Sequence, residues 1–122
     1  MSLSFNESLP IYIQLVSKIK VDILSGKYRA GEKLASVREM AAEASVNPNT
    51  MQRALSELES TGLIYSRRTA GRFITEDIKM IDRIKCEMAY EEVQKFLMSM
   101  KTIGVTKDEI VEMIENADKE MK

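Results

Sequence analysis

Apolar residues in the first part of the chain recur at the three- and four-residue intervals of amphipathic helices, in two segments separated by turn residues. Pro10 fits the first turn of the first helix, and Gly26 is placed to end it. Ser36 begins the second helix, because Glu39 completes a capping box in which each side chain satisfies a free backbone N–H. The apolar faces consist of Tyr12, Leu15, Val16, Ile19 and Ile23 in the first helix and of Val37, Met40, Ala41 and Ala44 in the second.

A third amphipathic segment follows after a short turn. Asn47 is a good N-cap, Pro48 fits the first helical position, where its missing N–H costs nothing, and Gly62 ends the helix. Its apolar face carries Met51, Ala54, Leu55 and Leu58, and its polar face carries Asn49, Gln52, Arg53 and Ser56. Two short helices joined by a turn, the second with a polar face, form the helix-turn-helix pattern.

The segment LIYSRRTAGRFIT, residues 63–75, is typical of a β-hairpin. Leu63 and Tyr65 alternate before the turn, Phe73 and Thr75 alternate after it, and Gly71 lies in the tip. The tip carries three arginines and no acid: Arg67, Arg68 and Arg72. A helix-turn-helix followed by a basic two-stranded wing is a winged helix. We therefore expect a mainly α fold with a small β-hairpin wing.

From Asp77 onward the pattern changes to two helical stripes separated by Gly104. Thr106 and Glu109 form a second capping box at the start of the last helix. A helical hairpin of about 46 residues rarely closes a core alone, so its stripes must pack on the first domain or on another chain. We expect a winged helix-turn-helix DNA-binding domain at residues 1–76 and a helical dimerisation tail at residues 77–122.

The 122 residues are 44% apolar and 30% charged, which is ordinary for a globular protein. The length allows one domain, or one small domain with an appendage. No apolar run approaches the ~20 residues of a membrane span, and the N-terminus lacks the pattern of a signal peptide. We therefore expect a cytoplasmic protein that does not interact with a membrane.

Charge is distributed unevenly, although the net charge is only -1. Residues 1–76 contain ten Lys/Arg against eight Asp/Glu, whereas residues 77–122 contain eight against eleven. Between Gln52 and Arg72, four arginines stand against Glu57 and Glu59 alone. A local basic face on a nearly neutral chain is compatible with DNA binding but does not require it.

The residues needed for most catalytic and metal sites are missing. The chain has no histidine, and Cys86 is its single cysteine. This excludes Ser-His and Cys-His nucleophile pairs, histidine metal sites and an intramolecular disulfide. A glycine-rich phosphate loop is absent as well. We expect no enzyme activity, no metal and no cofactor.

Each positive signal also has a plainer interpretation. The polar face of the third helix resembles an ordinary solvated face, and charged hairpin tips are common. Methionines such as Met88 and Met98 are better explained as core or interface filler than as a ligand surface. DNA recognition by the polar face of the third helix is nevertheless favoured. Asn, Gln and Thr are poorer helix formers than the Lys and Glu that are usual on solvent-exposed faces without a binding role. These residue types also suit base edges and phosphates.

Residues 10–75 resemble the DNA-binding domain of GntR-family bacterial transcription regulators. PIYIQ at 10–14, GEKLASVRE at 31–39, VNPNT at 46–50 and an aromatic-ended wing occur in the family's order. The short tail is similar to the YtrA-type subfamily, whose members lack the large ligand-binding domain of other GntR proteins. The resemblance covers more than half of the chain.

The resemblance implies DNA contacts at matching positions. Arg38 would contact phosphate or a guanine at the groove edge, and Asn47, Asn49 and Thr50 would hold the N-terminus of the recognition helix against the backbone and the major groove. Base edges would be reached by Gln52 and Arg53, and the minor groove by Arg67, Arg68 and Gly71. Ala35, Thr69, Ala70 and Arg72 depart from the family pattern.

These observations predict a homodimeric transcription regulator, a repressor, that binds an inverted-repeat operator. Its recognition helix would span about 47–60 and its wing about 66–72. By family analogy the regulated genes include an ABC transporter operon, and no effector is specified. The alternative is a winged helix used as a protein-interaction module. The residues assigned to dimerisation are Ile81, Ile84, Met88, Val93, Phe96, Leu97, Met100, Ile110 and Ile114.

Overall fold

The computed structural model describes residues 5–121 and contains five helices and two strands within them. Residues 1–4 and 122, which the two expected domains include, lie outside the described residues. The order of elements confirms the expected fold class, a mainly α protein with a two-stranded wing. The elements are α1 Ile11–Leu24, α2 Val37–Ala44, α3 Pro48–Thr61, β1 Ile64–Arg67, β2 Gly71–Ile74, α4 Ile78–Thr102 and α5 Lys107–Met121.

Local capping sets the boundaries of the helix-turn-helix. The predicted capping box is present: the backbone N–H of Glu39 donates to Ser36 Oγ at 3.2 Å, and Glu39 Oε1 accepts from the Ser36 backbone N–H. Helix α2 ends at Ser45, which adopts a left-handed conformation with φ of 57°. Asn47 then caps α3, its side-chain oxygen accepting from the Asn49 N–H at 2.8 Å. These contacts confirm the predicted turn between α2 and α3.

One hydrophobic core joins α1, α2, α3 and the base of the wing. Burying each Leu or Ile side chain contributes about 1.5–3 kcal/mol relative to leaving it in water. The apolar face of α3 is fully used in this core, so the helix cannot rotate without exposing it. The buried core residues are Leu15, Ile19, Ile23, Leu34, Met40, Ala41, Ala44, Met51, Ala54, Leu55, Leu58, Leu63, Ile64 and Ile74.

The wing is an antiparallel ribbon in which Ile64 pairs with Ile74 and Tyr65 with Phe73. The predicted alternation emphasised Tyr65 and Phe73, but the inward-facing pair of the ribbon is Ile64 and Ile74. Tyr65 and Phe73 stack on the opposite face, with ring centroids 5.7 Å apart, and are half-buried. Side chains alternate between the two faces of a strand, and in this ribbon the residues of both faces are apolar. The alternation pattern alone therefore does not indicate which face packs on the core.

A third extended segment lies beside β2, where the sequence pattern predicts only a turn. Lys33 forms a β-bridge with Phe73, Leu34 N–H donates to the Arg72 carbonyl at 2.9 Å, and Ile74 N–H donates to the Glu32 carbonyl at 2.8 Å. These backbone bonds attach the base of the wing to the segment between α1 and α2.

The chain divides into two compact units between Ile84 and Lys85. The first turns of α4 belong to the first unit, because Met80, Ile81 and Ile84 pack against its core. The sequence pattern places the boundary earlier, between residues 76 and 77. That placement stays a prediction; it lies just before α4, which begins at Ile78.

The second unit contains the rest of α4 and α5, joined by a turn at Gly104. The predicted capping box of α5 is formed, with Thr106 N–H donating to Glu109 Oε1 at 3.1 Å and Glu109 N–H donating to Thr106 Oγ1 at 3.3 Å. Hydrogen bonds from the Thr106 backbone and hydroxyl lower the pKa of Glu109. Ile110 is buried at 2% exposure, and the other apolar side chains described in this unit are half-buried or exposed.

Candidate nucleic-acid interface

The polar face of α3 is exposed along most of its length. Asn49, Gln52, Arg53 and Ser56 all point away from the core, as predicted. Gln52 Nε2 donates to Ser56 Oγ at 3.4 Å, one turn further along the helix. The apolar face of α3 is buried against α1 and α2. This packing fixes the rotation of the helix, so the donors and acceptors of its polar face are held outward.

Arg53 is not free in solvent, because its guanidinium lies over the ring of Tyr12 at 3.7 Å from the ring centroid. Asn49, Thr50 and Ile11 complete a shallow hollow of about 430 Å³ between the start of α1 and the first turns of α3. The sequence pattern assigns Tyr12 to the core, and in the structure it packs against the core while remaining half-buried, with its ring also beside the polar face of α3. Tyr12 is therefore a member of the candidate site that helical periodicity alone does not identify.

Two other predicted contacts lie at helix starts. Asn47 is exposed, but its side-chain oxygen is already used to cap α3. Arg38 is exposed on the first turn of α2, two residues after the Ser36 cap. At the N-terminal end of α3, Pro48 has no backbone N–H, and the N–H groups of Asn49, Thr50 and Met51 donate to Asn47. The positive end of the helix dipole still favours an anion such as phosphate there.

The predicted wing residues lie at the end of the ribbon. Arg68 is exposed at the tip, and Arg67 lies over the aromatic pair, with its guanidinium carbon 5.2 Å from the Phe73 ring centroid. Gly71 has a φ of +108°, and a Cβ placed there would lie 3.3 Å from Lys33 Cε. Glycine at position 71 is thus favoured by the backbone conformation, whereas a Cβ there would need the Lys33 side chain to shift by only a few tenths of an ångström.

Arg72 differs from the other two wing arginines. Its Nε donates to Glu59 Oε1 near the end of α3, and the same carboxylate oxygen accepts from Ser66 Oγ at 2.9 Å. Burial raises the pKa of Glu59, but hydrogen bonds from Arg72 and Ser66 and the Arg72 charge outweigh it, so the pKa is lowered. The carboxylate is therefore ionised at neutral pH.

Among residues 5–121, no group of three or more His, Cys, Asp or Glu side chains is arranged to hold a metal ion. Nor does any helix within that range have the length and apolar character needed to cross a membrane.

The residues predicted for dimerisation fall into separate environments. Ile81 and Ile84 pack on the core of the first unit, and Ile110 is buried within the second. Met88, Leu97 and Met100 are half-buried, while Val93, Phe96 and Ile114 are exposed by 49%, 42% and 51%. One apolar groove of about 390 Å³ on the second unit is lined by Phe96, Met100, Met113, Ile114, Ala117, Asp118 and Met121.

Comparison with known proteins identifies the family. The sequence profile of bacterial regulatory proteins of the gntR family matches residues 11–74, which is more than half of the chain. The chain therefore belongs to the GntR family of transcriptional regulators, and its winged helix-turn-helix is the family's DNA-binding domain. The relatives it matches are described as transcriptional regulators and not as enzymes.

Two relatives from Bacillus subtilis match nearly the whole chain. The HTH-type transcriptional regulator YhcF is 41% identical over 110 residues, covering 90% of this chain and 91% of the relative. The HTH-type transcriptional repressor YtrA is 34% identical over 116 residues, covering 94% and 89%. Both matches extend beyond the winged helix into the C-terminal helices.

Solved structures agree with the fold. A GntR family transcriptional regulator from Listeria monocytogenes superposes with a TM-score of 0.86 at 40% identity, covering 92% of this chain and 98% of that one. AraR(DBD) in complex with operator ORX1 superposes with a TM-score of 0.53 at 29% identity, covering 62% of this chain and 92% of that one.

Proposed function

We propose that this protein is a transcriptional repressor that binds an inverted-repeat operator as a homodimer, with α3 in the major groove. The observation that carries the proposal is the exposed row of Asn49, Gln52 and Arg53, held outward by the buried opposite face of α3. The major groove, about 12 Å wide, admits an α-helix presented in this way. The description of YtrA as a repressor supports the direction of regulation.

The side chains of α3 have the chemistry of direct base readout. Asn and Gln amides pair with adenine edges and Arg with guanine, each good pair contributing about 1–3 kcal/mol of discrimination. Stacking on Tyr12 restricts the guanidinium of Arg53 before DNA arrives, which reduces the ordering cost of binding. Thr50 and Arg38 would contact phosphates and fix the register on the duplex.

The wing supplies the second proposed contact. Arg67 and Arg68 would enter the minor groove, whose negative potential attracts arginine, and Gly71 keeps the tip in its turn. The solved complex of AraR(DBD) with an operator supports DNA as the partner of such a domain. The proposed site of action is the bacterial cytoplasm.

The apolar groove on the second unit is the proposed dimer contact. A two-fold interface uses the same patch on both chains, and Phe96, Met113 and Ile114 form an apolar patch that a second copy would cover. A dimer that binds two half-sites of one operator should bind it about 10²–10⁴ times more tightly than it binds a single half-site, because the second binding event is effectively intramolecular. Ile81, Ile84 and Ile110 already pack within the chain. The other residues assigned to dimerisation from the sequence would therefore make the contact between the two copies.

Fluorescence anisotropy titrations with a duplex from the protein's own promoter and with a scrambled duplex of equal length test this function. We expect the promoter duplex to bind at least tenfold tighter, about 1.4 kcal/mol, at the same salt concentration. Equal and weak binding to both duplexes would favour the alternative, a winged helix used as a protein-interaction module.

A further inference from the structure

A single carboxylate connects α3 to both strands of the wing. Glu59 Oε1 accepts from Ser66 Oγ in β1 and from Arg72 Nε in β2. Ser66 and Arg72 are opposite each other in the ribbon, one step nearer the tip than the stacked pair Tyr65 and Phe73. The two hydrogen bonds therefore hold the ribbon across its full width, close to the arginines of the tip.

The surroundings make this contact stronger than an ordinary surface ion pair. The Arg72 and Glu59 side chains are only 20% and 30% exposed, so water competes with the pair less than at an open surface. A charge-assisted hydrogen bond is roughly twice as strong as one between neutral groups. The lowered pKa of Glu59 keeps the acceptor charged at neutral pH.

The base of the ribbon is held separately, by backbone bonds. Ile74 N–H donates to the Glu32 carbonyl at 2.8 Å, and Leu34 N–H donates to the Arg72 carbonyl at 2.9 Å. Loss of the Glu59 contact would therefore leave the backbone of β2 attached as far as Arg72, while removing the side-chain link from α3 to Ser66 and Arg72, next to the turn that carries Arg67 and Arg68.

We propose that Glu59 is a positioning residue that sets the angle between the wing and α3, so that both engage the same duplex. In this role Arg72 is a link within the protein and not a third cation of the tip. Because Glu59 would act through the wing, its loss weakens DNA binding even though it removes a negative charge from the DNA-facing domain. The inference rests on the proposed DNA-binding function.

The test uses the full-length protein and a duplex that it selects from a random pool. Glu57→Gln is the matched control, because Glu57 is an exposed acid on the same helix, with the same charge and side-chain length. We expect Glu57→Gln to leave affinity unchanged or to raise it. Glu59→Gln should lower affinity roughly tenfold, a scale reached by coupled residues in one hydrogen-bonded network. Ser66→Ala, which changes no charge, should lower it in the same direction by a smaller factor.

A double-mutant cycle separates a positioning role from a general loss of stability. In a protein that carries Arg67→Ala and Arg68→Ala, adding Glu59→Gln should cause no further loss of affinity, because the wing contacts are already gone. Glu59→Gln alone should also reduce the dependence of affinity on salt, as the loss of wing contacts does. Circular dichroism melting establishes that each variant is folded.

Two results would overturn the positioning role while leaving DNA binding intact: Glu59→Gln binding as tightly as Glu57→Gln, or its effect adding in full to the loss of the two arginines. A wild-type protein that selects no sequence from the pool would instead overturn the proposed function, and the positioning role with it.

Discussion

Arg53 of α3 and Tyr12 of α1 form a cation–π contact, with the guanidinium carbon 3.7 Å from the ring centroid. The contact joins a side chain proposed to read bases to a helix that carries no predicted DNA contact. From the polar face alone, substitution of Arg53 would be expected to leave stability unchanged. The stacking on Tyr12 changes that expectation.

Arg53→Ala should lower both stability and operator discrimination. Loss of the stack costs about 0.5–1 kcal/mol of stability, and loss of a base contact costs ~1–3 kcal/mol of discrimination. Gln52→Ala is the matched control, because Gln52 lies on the same face without the contact to α1, so it should lose discrimination alone. Urea unfolding followed by circular dichroism, with titrations on selected and scrambled duplexes, measures both effects. Unchanged stability of Arg53→Ala would mean that the stack does not form in solution.

Thr69→Gly should stabilise the protein. Thr69 has a φ of 68°, a left-handed conformation that a β-branched residue adopts only at a cost. Relief of that strain, of order 1–3 kcal/mol, exceeds the ~0.5–1 kcal/mol entropic cost of glycine. Ala70→Gly, at a neighbouring position without a positive φ, should lower stability slightly. A melting temperature that falls for both variants would show that the tip is unstrained.

Glu109→Ala should destabilise the second unit in a pH-dependent way. Hydrogen bonds from Thr106 lower the pKa of Glu109, so the carboxylate contributes stability above its ordinary pKa and loses it as pH falls through the lowered value. The difference in helix content between wild type and variant during urea unfolding should therefore be full at about pH 7 and should shrink as the pH is lowered through the lowered pKa of Glu109. Glu112→Ala, one turn further along α5, controls for the change in helix propensity. A pH-independent difference would mean that the charge of the Glu109 carboxylate contributes nothing to stability.

If the proposed dimer forms through this groove, Met113→Glu should separate it into monomers, because the substitution places a charge in the apolar groove of the second unit. Met98→Glu is the control: Met98 is 72% exposed on α4 beside Glu91 and Lys95, outside that groove. Sedimentation velocity gives the mass of each variant.

A fragment ending at Ile84, which keeps the α4 residues that pack on the first core, should be folded and monomeric. A dimeric fragment, or a dimer that survives Met113→Glu, would place the dimer contact elsewhere.

Local signals in the sequence were sufficient to predict most of the helices and strands. Ser36 with Glu39, Asn47 with Pro48, and Thr106 with Glu109 marked helix starts because capping depends on residues within one turn. Periodicity likewise separated the core face of α3 from its polar face.

Contacts between distant segments could not be predicted in this way. The stack of Arg53 on Tyr12 and the hydrogen bond from Arg72 to Glu59 join residues that are far apart in the sequence. The spacing of apolar and polar residues within each segment therefore does not indicate them. The pairing of Lys33 with Phe73 is hidden for the same reason, since the segment around it contains turn residues and no alternating pattern. From the sequence alone, Arg72 was therefore grouped with the other basic residues of the wing tip.

We propose that the exposed face of α3 reads base sequence at two symmetric half-sites. The decisive experiment is selection of bound duplexes from a random pool, with wild type and with an Asn49→Ala, Gln52→Ala double variant. We predict that wild type enriches an inverted repeat with half-site centres a multiple of about 10 base pairs apart, and that the variant loses preference at the same position in both half-sites. An enriched sequence without symmetry, or the same preference from both proteins, would show that the face of α3 does not read base sequence at two symmetric half-sites.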